Sequence, residues 1–385
     1  MVDFRLGKEY EDLRASVRQF AREQLAPVIA EHYENKTFPY DIVRKMGAMG
    51  LFGLPFPEEY GGMGGDYFAL CLTLEELARV DSSVAITLEA AVSLGAMPIH
   101  RFGTEEQRQR WLPRLTSGEA LAAFGLTEPD TGSDASGTTT RAVLDESTDE
   151  WVINGTKAFI TNSGTDITCL VTVMAVTGTN PDGSKELSTI IVPSGTPGFT
   201  VAPGYSKVGW CASDTHELSF DDVRVPAANL LGERGRGYAQ FLRILDEGRI
   251  AIAALSVGLA QGCVDESVTY AQQRSAFGRP IGKHQAVQFL IADMDMRAHV
   301  ARLGYYDAAA RMLAGDDFKR HAAIAKLNAS NAAMENSRYA TQVHGGYGFM
   351  NESAVGRFYR DAKILEVGEG TSEVQRMLIA RGLGL

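Results

Sequence analysis

The stretch Lys363 to Leu378, KILEVGEGTSEVQRML, sets an acid, Glu369, between Gly368 and Gly370, just ahead of a helix start that Ser372 and Gln375 mark as a capping box. A carboxylate placed there can complement the positive end of the helix, the glycines merely making a turn. It can also be a proton acceptor presented on bare backbone that a ligand approaches closely. Four more stretches carry comparable potential. FGLTEPDTGSD, Phe124 to Asp134, is dense in hydroxyls, glycines and free amides, which suits a polar, planar or phosphorylated ligand and equally an interdomain linker. In NGTKAFITNSG, Asn154 to Gly164, the strand period puts Phe159 and Thr161 on one face, a flat apolar surface beside a hydrogen-bonding group. That pair could pack a flavin ring or part of a core. RSAFGRPIGKHQ, Arg274 to Gln285, closes one helix and opens the next through Gly278 and Gly282, with Arg274 placed for the helix dipole. QVHGGYGF, Gln342 to Phe349, is a glycine-rich break where backbone can meet a ligand, and its lone His344 reads as packing.

The elements that must position these stretches divide the chain into three textures. Residues 1–122 are helical: apolar positions from Tyr10 to His32 fall at helical intervals, and further helices are expected over Asp41 to Gly50, Tyr67 to Val80, Ser82 to His100 and Thr104 to Leu115. Residues 123–232 switch to short β-branched runs separated by turns such as NPDGSKEL. Residues 233–385 return to long helices with short links, an antiparallel bundle. Phe241, Leu245, Ile252, Leu255 and Leu259 are expected to share one face of the first, and Val287, Leu290, Ile291 and Met294 one face of the second. The fold class is α+β, mostly α. There is no βαβ alternation, and neither GGMGG nor GERGRG has the spacing or the preceding strand of a dinucleotide fingerprint.

Composition narrows the partners. With 37 basic and 48 acidic residues in 385, the net charge is -11, and no basic cluster suggests nucleic acid. A small phosphorylated ligand remains compatible, since it needs only local arginines or helix amino termini. Cys71, Cys169, Cys211 and Cys263 are far apart, which fits reduced thiols, and the seven histidines form no metal motif, so no metal is expected. The charged amino terminus has no apolar signal core, and the uncharged run Leu187 to Ser206 is broken by three prolines and three glycines. A cytoplasmic protein outside the membrane is the expectation.

Taken in order, the five stretches resemble the acyl-CoA dehydrogenase family, the short-chain and branched-chain type with its base on a carboxy-terminal Glu-Gly-Thr segment, and the likeness covers nearly the whole chain. The resemblance implies an amino-terminal α domain, a central β-barrel-like domain, a carboxy-terminal four-helix bundle, FAD held partly between subunits, and a homotetramer built as a dimer of dimers. It implies that Phe124, Leu126 and Thr127 line the flavin, that Ser133 touches the CoA arm, and that Phe159 and Thr161 stand for a Trp-x-Thr whose threonine meets flavin N5. Arg274, Phe277, Gln285, Gln342, Gly345 and Gly346 resemble the groups on the pyrophosphate and adenine half of FAD, with Thr371 and Glu373 among the last contacts. Glu369 matches the base that removes the proton α to a thioester, Gly370 lets substrate approach, and the Glu369 amide can meet the thioester oxygen. The β-hydride then passes to flavin, the product is a trans-2-enoyl-CoA, and electrons leave to an electron-transferring flavoprotein, in fatty or branched-chain acyl metabolism.

Some relatives carry the base on the long helix directly before an arginine. Here that position is Gly248, before Arg249, and Glu247 is about 100° away around the helix, which assigns the role to Glu369. Leu245, Asp246 and Arg249 resemble contacts to the substrate and its CoA end, with a helix-surface ion pair as the alternative for Asp246 and Arg249. Two departures stand out: Phe159 replaces tryptophan, and Gly368 replaces tyrosine, which predicts an acyl pocket wide enough for short, branched or bulky groups. The helix Ser82 to His100 has no arginine before His100, which disfavours a dicarboxylic substrate, and Glu89 within it has no assigned role. An acyl-CoA oxidase and a non-catalytic flavin or acyl-CoA binding protein of the same fold are the rival functions.

Overall fold

The computed structural model describes residues 5–385. Helix α1 (Lys8–Phe20) continues through a π-helical turn at Ala21–Leu25 into α2 (Ala26–Asn35), so the expected single helix is one rod with a widened turn. After α3 (Tyr40–Ala48) comes α4 (Tyr67–Ala78), capped by the Asp66 carboxylate on the Ala69 N–H. Helix α5 (Ser82–Glu89) is capped by Asp81 on the Ser83 and Val84 N–H groups, passes through a second π-helical turn at Ala90–Ala96 and continues as α6 (Met97–Phe102). Helix α7 (Glu105–Thr116) opens with a full capping box between Thr104 and Gln107.

Strands β1 (Leu121–Gly125), β2 (Arg141–Asp145), β3 (Glu150–Thr161), β4 (Thr168–Thr179), β5 (Lys185–Pro193), β6 (Phe199–Val201), β7 (Thr215–Pro226) and β8 (Leu230–Leu231) form one sheet. Its order is β6-β7-β3-β2-β4-β5-β8, with β1 parallel to β4. Only Arg141 and Val176 join β2 to β4, so two antiparallel ladders meet at a single pair and curl around their own core of Trp151, Ile153, Val173, Ile190, Phe220 and Val223.

The last third is built on α8 (Gly237–Gln273), α9 (Gln285–Ala314) and α10 (Lys319–His344), which pack on one another, with α11 (Ala354–Leu365) and α12 (Ser372–Gly382) against α10. The expected one-sided apolar face of α8 is exceeded. From Asp246 to Ala260 every residue is buried, because α4 and α5 cover the side that α9 and α10 leave open. On α9 the reverse holds. Met294 is buried, but Val287, Leu290 and Ile291 are only half-buried, and Phe289, Met296, Val300 and Leu303 are exposed.

Ser82–Phe102 and Gly237–Gln273 are long and apolar enough to cross a bilayer, yet their most apolar windows are 94% and 83% buried in the fold, which makes them core helices. All four cysteines are free thiols. No cluster of three or more His, Cys, Asp or Glu side chains among the described residues is arranged to hold a metal ion.

Candidate active site

Between α11 and α12 the backbone makes a turn that only a well-supported chain adopts. Glu369 has φ +53° and Gly370 φ +95°, so two successive residues lie in the left-handed region. For glutamate this costs about 1 kcal/mol. The cost is offset at the Gly370 carbonyl, which accepts hydrogen bonds from Lys326 Nζ at 2.7 Å and Gln375 Nε2 at 2.8 Å. The expected capping box on Ser372 is therefore displaced by one residue. Thr371 is the cap, its hydroxyl accepting from the Val374 N–H at 3.3 Å, and Gln375 turns back to the turn's carbonyl instead of to Ser372.

The carboxyl of Glu369 points inward from this turn. Its Oε2 is sealed from solvent and has no hydrogen-bond donor. It lies against Gly248 of α8, where an added Cβ would stand 2.5 Å from Oε2 and 3.8 Å from Oε1 of Glu89. Glycine at 248 leaves the space that Glu369 occupies, and Glu89, fully buried at the end of α5, faces the same point. The π-helical turn begins at the next residue, a distortion that often marks functional positions. Asn162, between β3 and β4, steadies this helix by donating to the Thr87 carbonyl at 2.9 Å.

Electrostatics separate the two acids. Burial pushes the Glu369 carboxyl up to about 7, while the donor that a protonated Glu89 offers beside it and the charges of Lys326 and Arg249 pull it back. Glu89 is pushed up further, by burial and then by the Glu369 charge, with only the Ser93 hydroxyl opposing. The pair therefore keeps a proton on Glu89 and leaves Glu369 as the group that ionises near neutrality.

Asp246 and Arg249 form a close ion pair one turn apart, but both are buried, so the surface-pair alternative fails: α4 and α5 enclose this part of α8. Glu247 turns the other way, to Arg101 at 3.1 Å, as the helical angle requires, and Leu245 is half-buried beside them.

The remaining residues singled out in the sequence fall into two groups, and among the described residues no hydrogen bond or ion pair joins one group to the other. In the first, Phe124 stacks on Phe241 of α8 at 3.9 Å between ring centroids, Leu126 is buried and Thr127 half-buried. Their backbone is held by the Ala158 N–H on the Thr127 carbonyl and by Lys157 Nζ on the Leu126 carbonyl. Lys157, fully buried, also pairs with Glu128 at 2.8 Å. Phe159 sits at a bulge with φ +60°, 64% exposed and tilted against Tyr205, and Thr161 ends β3 half-buried. In the second group, Arg274, Gly345 and Gly346 line a cleft of about 530 Å³ floored by Tyr270 stacked on His344. Phe277 tops a two-residue hairpin with φ +53° and is 97% exposed, and Gln285 and Gln342 are exposed nearby in the chain. Ser133 lies exposed on its loop, and Glu373 is exposed on the first turn of α12 near Arg376 at 3.5 Å.

Comparison with known proteins decides what this arrangement belongs to. The chain matches the family models for the acyl-CoA dehydrogenase N-terminal domain over residues 7–119, middle domain over 123–223 and C-terminal domain over 235–384. The chain belongs to the acyl-CoA dehydrogenase family. It is similar to the probable acyl-CoA dehydrogenase YngJ of Bacillus subtilis, 50% identical over 99% of this chain and 100% of that one. Butyryl-CoA dehydrogenase of Megasphaera elsdenii superposes with a TM-score of 0.95 at 41% identity over 100% of both chains. A chain from a structure described as the electron transferring flavoprotein of Acidaminococcus fermentans does so at 0.95 and 41% over 99% of both. The protein is an oxidoreductase that uses FAD to desaturate an acyl-CoA thioester between its α and β carbons. Its residues fit that cofactor: a Cβ at Gly345 or Gly346 would meet nothing within 4 Å, leaving room for a diphosphate against bare backbone, and the exposed face of Phe159 offers a planar platform.

Three residues of this site escape a sequence reading. Lys326 sits at an apolar-stripe position of α10, four after Ala322 and three before Ala329, and a lysine on such a stripe is the signal that was available. Glu89 was visible only as an oddity, and Phe241 only as core.

Proposed function

We propose that Glu369 is the base that takes the α-proton of the bound thioester, with the carboxyl facing Gly248 and the Glu369 amide hydrogen-bonding the thioester oxygen. The observation that carries this is the convergence of a carboxyl pushed up to about 7, its Oε2 sealed from solvent and without a formed hydrogen bond, on the one glycine of α8 whose missing side chain makes room for it. A base for a weak carbon acid needs that balance, basic enough to take the proton yet ionised near neutral pH. FAD, when bound, supplies the acceptor for the β-hydride. Phe124, Leu126, Thr127, Phe159 and Thr161 hold its ring system. Arg274, Phe277, Gln285, Gln342, Gly345, Gly346, Thr371 and Glu373 serve the diphosphate and adenine end, part of it belonging to a neighbouring subunit. The exposed apolar side chains of α9 support the homotetramer, a dimer of dimers, that such sharing needs. The division into domains at residues 122 and 232 is part of this reading.

The acyl group we assign is short. One similar structure is named a butyryl-CoA dehydrogenase and several similar proteins are named short-chain specific, and at Gly368 an added Cβ would meet only Ile364 at 3.4 Å, so this wall has room for a branch. Ser133, Leu245, Asp246, Arg249 and Gly370 border the thioester and the CoA arm. Electron-transferring flavoprotein is the assigned acceptor, supported by the similarity to the Acidaminococcus chain, and the cytoplasm the assigned compartment. The decisive test is Glu369→Gln in the FAD-loaded protein. Its turnover of butyryl-CoA is expected to fall by about 10³-fold or more with flavin content unchanged; retained turnover refutes the assignment. Rapid reoxidation of the reduced enzyme by air would favour an oxidase instead.

A further inference from the structure

Lys326 is a buried cation that no ion pair explains. Its side chain is fully enclosed in the bundle, its ammonium donates to the Gly370 carbonyl at 2.7 Å, and among the described residues no carboxylate lies within ion-pair distance of it. Lysine is almost never fully buried without a charge partner, and an apolar chain of similar volume is usually at least as stable in such a place. Packing alone therefore leaves the charge unaccounted for. We propose that Lys326 is the positioning residue and counter-charge of Glu369, pinning the left-handed turn so that the carboxyl faces Gly248 and holding that carboxylate in its ionised form. The proposal rests on Glu369 being the base.

The surrounding charges agree. From the loop and α12, Glu369, Glu366 and Glu373 favour the charged lysine, Glu369 most strongly, while Arg249 of α8, tied to Asp246, opposes it. On the other side of Glu369, Glu89 of α5 carries a proton and supplies no positive charge. Burial brings Lys326 down to about 8, against about 7 for Glu369, so an ionised base beside a charged lysine is confined to a narrow band around pH 7 to 8. The turn depends on the same group. The carbonyl that Lys326 holds follows directly on two residues of positive φ, and its other support is the neutral amide of Gln375.

Lys326→Met, Lys326→Gln and Lys326→Arg in the FAD-loaded full-length enzyme separate charge from hydrogen bond. The measurement is kcat/KM for butyryl-CoA against pH, together with the infrared carboxylic-acid band of Glu369 obtained by difference from Glu369→Gln. Methionine and glutamine both remove the charge and are expected to move the acid limb, and the pH at which the band disappears, upward by about one unit. Methionine also frees the turn and should lower kcat beyond glutamine, by about 10-fold or more, with KM changed less than about 3-fold; arginine should keep the limb in place. A limb and band that stay at the wild-type pH in the glutamine variant overturn the proposal, and that variant decides alone if the methionine protein fails to fold. An active Glu369→Gln enzyme would instead remove the base assignment itself, a different result from an inactive Glu369→Gln with unmoved Lys326 variants.

Discussion

Asp81 and Asp361 meet in the core much as Glu89 and Glu369 do, yet Asp361 is wrapped in donors and the second pair is nearly bare. Asp361 accepts from the Tyr33 hydroxyl at 2.6 Å, the Trp210 N–H at 2.7 Å and the Ser82 hydroxyl at 2.7 Å. Asp81 accepts from the Ser83 and Val84 N–H groups on one oxygen, while its other oxygen has Arg357 at 3.9 Å but no formed hydrogen bond. These donors come from α2, the loop before β7 and the start of α5, while Asp361 is on α11, so all three parts of the chain are tied at one point. Neither oxygen of Glu89, nor Oε2 of Glu369, has a formed hydrogen bond from a protein donor. Burial raises all four acids. What distinguishes Asp361 from the other three is saturation: a carboxyl whose lone pairs are filled by the protein fastens segments together, and one left unfilled in a cavity is available to a substrate proton.

Substitutions should break the two pairs in different currencies. The largest effect is expected at the saturated carboxyl, where Asp361→Asn puts an amide donor among donors. It should lower unfolding free energy by about 3 kcal/mol, read from urea denaturation at fixed protein concentration, with turnover per folded molecule nearly unchanged. At the bare pair, Gly248→Ala should do the opposite. The methyl group intrudes on Glu369, so kcat/KM should drop by about 10-fold, whereas stability should hold or rise by up to about 1 kcal/mol because alanine suits a helix interior. The smallest effect is a pH shift. Protonated Glu89 is a donor available to an ionised Glu369 and so lowers its proton affinity; Glu89→Leu, which lacks the donor, should therefore move the acid limb of kcat/KM upward by about half a unit, and Glu89→Gln, which keeps one, should not. A downward shift in the leucine variant would mean that Glu89 is ionised and repels the base.

Local patterns made much of this molecule legible. The helix, strand and helix textures follow from hydrophobic periods, which need no tertiary information. The loop positions of Glu369, Arg274 and Gly345 follow from glycines that only turns accommodate. The cap of α12 is Thr371 and not Ser372, one position from where the sequence pattern puts it, because the left-handed conformation of Glu369 and its support by Lys326, 43 positions away in the chain, leave no local mark. For the same reason the Asp246–Arg249 pair looks like a surface feature until α4 and α5 are seen to cover it.

By itself the sequence determined the order of elements, the acid set between glycines and the presence of a glycine at 248, since each depends on residue type and spacing along one segment. Only the tertiary structure decided that Glu89 and Lys326 flank that acid from α5 and α10, with a proton on one side and a positive charge on the other. Proton affinity depends on distance and burial in space, and four segments far apart in the chain must be packed together before either quantity exists.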